Sequence, residues 1–190
     1  MHVDAIYMMT FEYATSWDRR IGFTAPIQAK LQAVDIDSAI NSLLDQKVPK
    51  NKIILGIPFA SQTFKTNTDG YIGDDCEQEG FPGPIIQSNF MVGYNEICRM
   101  QNQKQWTYKF DRFASQMIGK FKENGTTHVA VYDTPRSVAN KVKYAMDKDL
   151  LGVWAWTQTI LEVNVRLITQ HMLTLESQGR NYQKRRNSHF

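Results

Sequence analysis

The sequence is poor in the features that assign a protein quickly. It has two cysteines, Cys76 and Cys98, in 190 residues. Their spacing fits no zinc motif, and a four-ligand site would have to recruit distant histidines, so no metal is expected. The two thiols are compatible with one disulfide or with two separate buried sulfhydryls. No apolar run approaches the roughly 18 residues needed to span a bilayer, so no membrane partner is expected. The N-terminus lacks the basic segment and apolar core of a secretion signal. Taken alone, that implies a soluble intracellular protein, or one whose N-terminal part lies outside this sequence. Strong charge is missing as well: the formal net charge is +3. The basic excess gathers in "NYQKRRNSHF", with Lys184, Arg185 and Arg186. Residues 179–190 therefore read as a solvated, disordered tail, and no nucleic-acid partner is expected. None of the four histidines sits with a serine or cysteine in a recognisable nucleophile context, so triad chemistry is not supported. No cofactor is implied.

What is present is enough for one domain with a sizeable core. Apolar residues make up 42% and aromatics 12% of the chain, within the range of globular proteins. Three segments read as buried strands followed by helices. "DAIYMMTFEY" opens the chain. In "DIDSAINSLLDQK", Ile36, Ile40, Leu43 and Leu44 share one helical face, and Asp35 or Asp37 can cap its start. "KIILGIPFA" is a continuous apolar run, as in a strand covered on both faces. "TPRSVANKVKYAMDKD" begins with a cap-like Thr134 and a Pro135 suited to the first helical position, with Val138, Val142 and Ala145 on one face. "LLGVWAWTQT" follows as a strand, and "ILEVNVRLITQHMLTLESQ" as a last helix. Strands alternating with helices at this spacing imply parallel βαβ units.

The middle breaks that rhythm. It is rich in Gly, Pro and Asp. A short helix is predicted around "FMVGYNEICRMQ", and antiparallel strands in "QKQWTYKF", "ASQMIGKFK" and "THVAVYD". The last two flank "ENGTT", where Asn-Gly favours the positive φ angles of a type I′ hairpin turn. The same residues form a sequon, Asn124-Gly125-Thr126, which accepts a glycan only if the chain enters the secretory pathway. The acidic "DGYIGDDCEQE" (Asp69, Asp74, Asp75, Glu77, Glu79) reads as a solvated loop. The expected organisation is strands and a helix over residues 1–61, an α+β insert over 62–133, helix–strand–helix over 134–178, and the tail. Three parallel units cannot close a (β/α)₈ barrel, which needs eight. Alone they would leave two open edges and an apolar face, so poor solubility or self-association is expected.

Four motifs in order carry a resemblance. "YMMTFEYATSWD" resembles the sixth barrel strand of glycoside hydrolase family 18, the chitinases and chitinase-like proteins, where Met-x-Tyr-Asp is followed by Gly-Ser-Trp-Asp. "NKIILGIPFASQTF" resembles the seventh strand. "GYNEIC" resembles part of the family's insert. "VYDTPRSVANKVKYAMDKDLLGVWAW" resembles the stretch leading to the eighth strand and its terminal Trp. The match runs from about Val3 to Val163. It implies the C-terminal part, about strands 6–8, of a (β/α)₈ TIM barrel with a small α+β insertion domain. It also implies chitin or a chitooligosaccharide as partner, and an extracellular location.

The family's chemistry uses a protonated glutamate in Asp-x-x-Asp-x-Asp-x-Glu, with the substrate's own N-acetyl group attacking the sugar carbon. That motif is absent from this sequence, so no catalytic residue is assigned. The expected substrate-binding residues are Met9, Phe11, Glu12, Trp17 and Trp156. Met9 keeps the family's Met. Phe11 replaces a Tyr whose hydroxyl would steady the intermediate, and losing such a donor typically costs roughly 3–4 kcal/mol of barrier. Glu12 replaces an Asp. Ala60, Ser61 and Gln62 stand where Tyr, Gly and Arg are usual. Trp156 is either the floor under a sugar ring or a core residue packed with Trp154. Trp17 is a candidate outer subsite. Glu96 and Cys98 are expected to fix the insert's helix, with Cys76 as a possible substitute partner for Cys98. Asp133 is expected to cap the helix that begins near Pro135.

The resulting expectation is a chitinase-like protein that binds N-acetylglucosamine oligomers without hydrolysing them. Two alternatives stand beside it: part of an active chitinase, or a non-enzymatic truncated or growth-factor-like homologue.

Overall fold

A computed structural model describes residues 3–156. The expected last helix and basic tail lie outside the described residues. The chain starts with β1 (Ile6–Met8) and a 3₁₀ turn at Ser16–Asp18. Helix α1 (Ile36–Asp45) and strand β2 (Ile53–Pro58) follow. An antiparallel unit comes next: β3 (Ala60–Thr66), β4 (Met91–Gly93), α2 (Tyr94–Met100), β5 (Thr107–Asp111), β6 (Gln116–Glu123) and β7 (Thr126–Tyr132). Helix α3 (Pro135–Asp147) and β8 (Gly152–Trp156) complete the described chain.

The caps explain where the helices begin. Asp35, not Asp37, starts α1: its carboxylate accepts from the Ser38 amide at 2.8 Å, and its own amide donates to Ser38 Oγ at 3.0 Å. Asp37 instead accepts from the Tyr144 hydroxyl at 2.7 Å and pairs with Lys148 at 3.0 Å, tying α1 to α3. Thr134 caps α3, accepting from the Ser137 amide at 3.2 Å, with Pro135 just inside. Asp133 is therefore not the cap. It turns inward and is buried, because its charge is met by Lys141 and not by the helix amides.

Strands β1, β2 and β8 form a parallel sheet in the order β1-β2-β8. Its outer face carries Ile53 and Leu55, which pack with Ile36 and Ile40 of α1 and Ala145 of α3. Ile57 and Phe59 pack on Val138 of α3. Each such aliphatic residue, buried, contributes roughly 1.5–3 kcal/mol relative to exposure. Among the described residues β1 and β8 each pair on one side only.

The antiparallel sheet has the order β4-β3-β7-β6-β5. The predicted strands β5, β6 and β7 and helix α2 are present; β3 and β4 are additional. The sequence hides β3 because only Phe59 separates it from β2 and its residues, ASQTFKT, are mostly polar, so the apolar run reads as a single strand ending at Ala60. Both faces of this sheet are covered. Phe64, Ile118, Val129 and Val131 pack with Ile21 and Phe23 on one side. Val92, Phe121, Ala130 and Tyr132 pack with Phe81, Ile97 and Met100 on the other. The β6–β7 hairpin closes at the Glu123–Thr126 pair. Asn124 has φ 50° and Gly125 φ 82°, the left-handed pair a type I′ turn requires. Cys76 and Cys98 are free, half-buried thiols. No helix among the described residues is long and apolar enough to cross a membrane.

Candidate functional site

The site is built at the C-terminal ends of the parallel strands. Alternation along β2 sends Ile53, Leu55 and Ile57 toward the helices, so Gly56 faces the other way. It has little room: a Cβ there would come within 2.4 Å of the Met8 carbonyl oxygen and 2.9 Å of Phe11. The missing side chain lets two elements cross closely. Thr10 Oγ1 donates to the Gly56 carbonyl at 2.6 Å, fastening the end of β1 to β2. Trp154 Nε1 donates to the Met8 carbonyl at 3.1 Å across the same gap.

These fastenings assemble an aromatic cluster. Trp154 pairs with Gly56 and Trp156 with Pro58 in the β2–β8 register. Phe11 lies nearly parallel to Trp156, with ring centroids 6.3 Å apart and planes 16° apart. It meets Trp154 edge-on at 5.8 Å. Trp154 and Trp156 meet edge-on at 5.8 Å, and Tyr7 adds a further edge contact to Trp154 at 5.9 Å. Such pairs contribute about 0.5–1.5 kcal/mol each beyond their buried area. The Phe59 amide donates to the Trp156 carbonyl at 2.8 Å, so the backbone under Trp156 is held too.

Exposure separates the roles inside this cluster. Phe11 is 4% exposed, whereas Trp156 is 47% and Met9 61% exposed. Of the expected site residues, Phe11 thus lies beneath the tryptophans and offers almost no surface to a ligand. Glu12 follows it on the rim. It is exposed, with φ 61°, and its amide donates to Thr24 Oγ1 at 3.2 Å. A left-handed glutamate costs on the order of 1 kcal/mol, held here by the fixed neighbours on either side. Met9, Phe11, Glu12 and Trp156 are thus gathered at one sheet end.

Trp17 stands on a separate support. The Thr15 amide donates to Asp18 Oδ2 at 2.8 Å, which fixes the turn that presents it. Its ring stacks on Phe90 at 4.8 Å and 18°, leaving it 58% exposed. It forms an aromatic platform on the side of the antiparallel unit. Nearby, Gln62 is buried and its side-chain oxygen lacks a hydrogen-bond partner among the described residues.

Sequence reasoning missed a buried ion pair between the end of the antiparallel sheet and α3. Lys141 Nζ is buried against Asp133 Oδ2. Gln116 Nε2 donates to Asp133 Oδ1 at 3.1 Å, and Gln116 Oε1 accepts from the Ala25 amide at 2.9 Å. One chain of bonds thereby joins the loop after β1, the antiparallel sheet and α3. Burial pushes the Asp133 carboxyl up, with the Lys141 charge opposing it; burial pushes Lys141 down, opposed by Asp133. A signal existed: Lys141 lies three residues after Val138 and four before Ala145, inside an apolar stripe.

Glu96 does fix helix α2, tying it to the loop before β4. Its carboxylate is buried and accepts from the Ile86 amide at 3.0 Å and the Gly93 amide at 2.8 Å. Burial pushes the Cys76 thiol up to about 11, with Asp75 adding to the shift. Burial likewise raises Cys98, so neither sulfur is poised as a nucleophile near neutral pH. Among the described residues, no group of three or more His, Cys, Asp and Glu side chains could hold a metal ion.

The architecture is thus an α/β chain with a solvent-facing aromatic shelf where its parallel strands end. The sequence profile of the glycosyl hydrolases family 18 matches residues 1–159, and the chain belongs to that family. It is 39% identical over 162 residues to probable chitinase 2 of Drosophila melanogaster, covering 82% of this chain and 34% of that protein. Among solved structures it resembles the group IV chitinase of Ostrinia furnacalis, with a TM-score of 0.76 and 25% identity, over 87% of this chain and 46% of the other. It also resembles human YKL-39, described as a pseudo-chitinase with retained chitooligosaccharide binding. There the TM-score is 0.77 at 20% identity, over 88% of this chain and 47% of the other. The chain spans about a third of the curated relative and about half of each solved chain.

Proposed function

We propose that this chain forms one wall of an extracellular chitooligosaccharide-binding cleft and does not itself cleave the sugar. In this reading β1, β2 and β8 are the sixth, seventh and eighth strands of a (β/α)₈ barrel, and the antiparallel unit is its insertion domain. The observation that carries the reading is Trp156: half-exposed, at a strand end, and backed by a buried phenylalanine. A pyranose presents an apolar C–H face, and an indole is the largest side-chain surface to receive it. Met9 and Glu12 line the same sheet end, and Trp17 offers an outer platform. Phe11 acts through Trp156 by fixing its tilt. It brings no hydroxyl to the reacting sugar. The sequence also holds no Asp-x-x-Asp-x-Asp-x-Glu, so a proton donor of the family type is lacking among these residues.

The test pairs binding with product analysis. The chain is expected to be retained on chitin beads and to leave N-acetylchitotetraose uncut. Trp156→Ala is expected to abolish retention while Trp17→Ala weakens it less. Shortened oligosaccharides, or full retention of Trp156→Ala, would overturn the proposal.

A further inference from the structure

The sequon at Asn124 plays no part in the sugar cleft, and its geometry gives it a separate use. The sequence has one Asn-x-Ser/Thr triplet without proline, Asn124-Gly125-Thr126. Asn124 and Gly125 are the two apex residues of the β6–β7 hairpin, and both are exposed. The space around them is open: a Cβ built on Gly125 would have nothing within 4 Å. Asn124 makes no side-chain hydrogen bond among the described residues, and neither does the half-buried Thr126 hydroxyl. The flanking side chains point their charges elsewhere, Glu123 to Lys104 at 2.6 Å and Lys122 to Asp69 at 3.3 Å. Nothing in the fold therefore has to move to admit a bulky group on Asn124 Nδ2.

We infer that Asn124 is an N-glycosylation site. The inference rests on the extracellular location proposed above. The donor is a lipid pyrophosphate-linked oligosaccharide of the secretory pathway. Asn124 Nδ2 forms a bond to C1 of its reducing-end N-acetylglucosamine; the C1–O bond to the pyrophosphate breaks, the lipid pyrophosphate leaves, and Nδ2 loses one proton. The Thr126 hydroxyl completes the acceptor sequence, and the Asn-Gly apex keeps it outside the packed sheet. Strand β7 runs from Thr126 to Tyr132, about 20 Å at the usual rise of a strand. The glycan would thus stand at the far end of the antiparallel unit from its junction with α3.

The experiment is cell-free translation of the full chain behind a cleavable secretion signal, with microsomes. Only the protease-protected, translocated fraction is scored, so the result does not depend on sugar binding. The wild type is expected to gain mass that an endoglycosidase removes. Asn124→Asp, which keeps a turn-forming residue at the apex, is expected to gain none, as is Thr126→Ala. Thr126→Ser is expected to retain the gain. Translocated wild-type chain at its unmodified mass, or a gain that survives in Asn124→Asp, would overturn the assignment.

Discussion

The two sheets of this protein use their faces differently. The five-stranded antiparallel sheet is packed on both sides, by Ile21 and Phe23 on one and by α2 and Phe81 on the other. The three-stranded parallel sheet is packed by α1 and α3 on one side. Its other side ends in Tyr7, Met9 and Trp156, which are 63%, 61% and 47% exposed. Parallel sheets are normally covered on both faces. Among the described residues, the large side chains that the parallel sheet leaves exposed thus gather at its C-terminal end, whereas the central strands of the antiparallel sheet are closed on both faces.

Substitutions can break this contrast. The largest effect is expected inside the antiparallel sheet. Phe121→Ala should cost about 3–5 kcal/mol in denaturant unfolding, because a 4%-exposed ring is lost from a closed core. Trp156 is half-exposed with two ring contacts, so Trp156→Ala should cost less, about 1–3 kcal/mol, and act mainly on binding. Equal losses would erase the distinction.

Lys141→Met should also cost about 3–5 kcal/mol, since it leaves the Asp133 carboxylate buried without its counter-charge. Replacing both partners by apolar residues should recover much of that loss. Gly56→Ala should cost about 1–3 kcal/mol by driving a methyl into the Met8 carbonyl and Phe11. The indole emission of Trp154 and Trp156 should shift with it.

The smallest effect concerns pH. His128 stacks on Phe121 at 4.6 Å and meets Phe81 at 5.4 Å, and its buried Nδ1 has no partner among the described residues. Burial pulls it below its ordinary value of 6.5; Glu123 opposes the shift, and Lys104 and Lys65 add to it. The unfolded chain then binds the proton more readily than the folded one. This contribution to stability is full above pH 6.5 and falls as pH drops through that value toward the folded one. His128→Phe should flatten the decline between pH 7 and 5 slightly, as the ring is only half-buried.

Much of the fold was legible because local signals agreed. The helical stripe of Ile36 and Ile40, the Thr134-Pro135 start and the Asn-Gly turn each point one way. The join of β2 to β3 was not legible, because the apolar pattern stops at Ala60 while the chain continues extended through polar residues that pair in a second sheet. In the candidate site, the motifs singled out Trp156 and Trp17, which the structure leaves with exposed rings. The burial of Phe11 could not, since it depends on Gly56 leaving space across two strands. Asp133 was misread for a related reason: the sequence places it beside a helix start, and only the fold brings Lys141 and Gln116 to it.

The proposed sugar contact at the C-terminal end of the parallel sheet rests on Trp156. The direct measurement is titration of the chain's tryptophan emission with N-acetylchitotetraose, for the wild type and for Trp156→Ala and Trp17→Ala. A saturable change should appear in the wild type, persist in Trp17→Ala with weaker affinity, and vanish in Trp156→Ala. An unchanged titration in Trp156→Ala, or no response in the wild type, would contradict it.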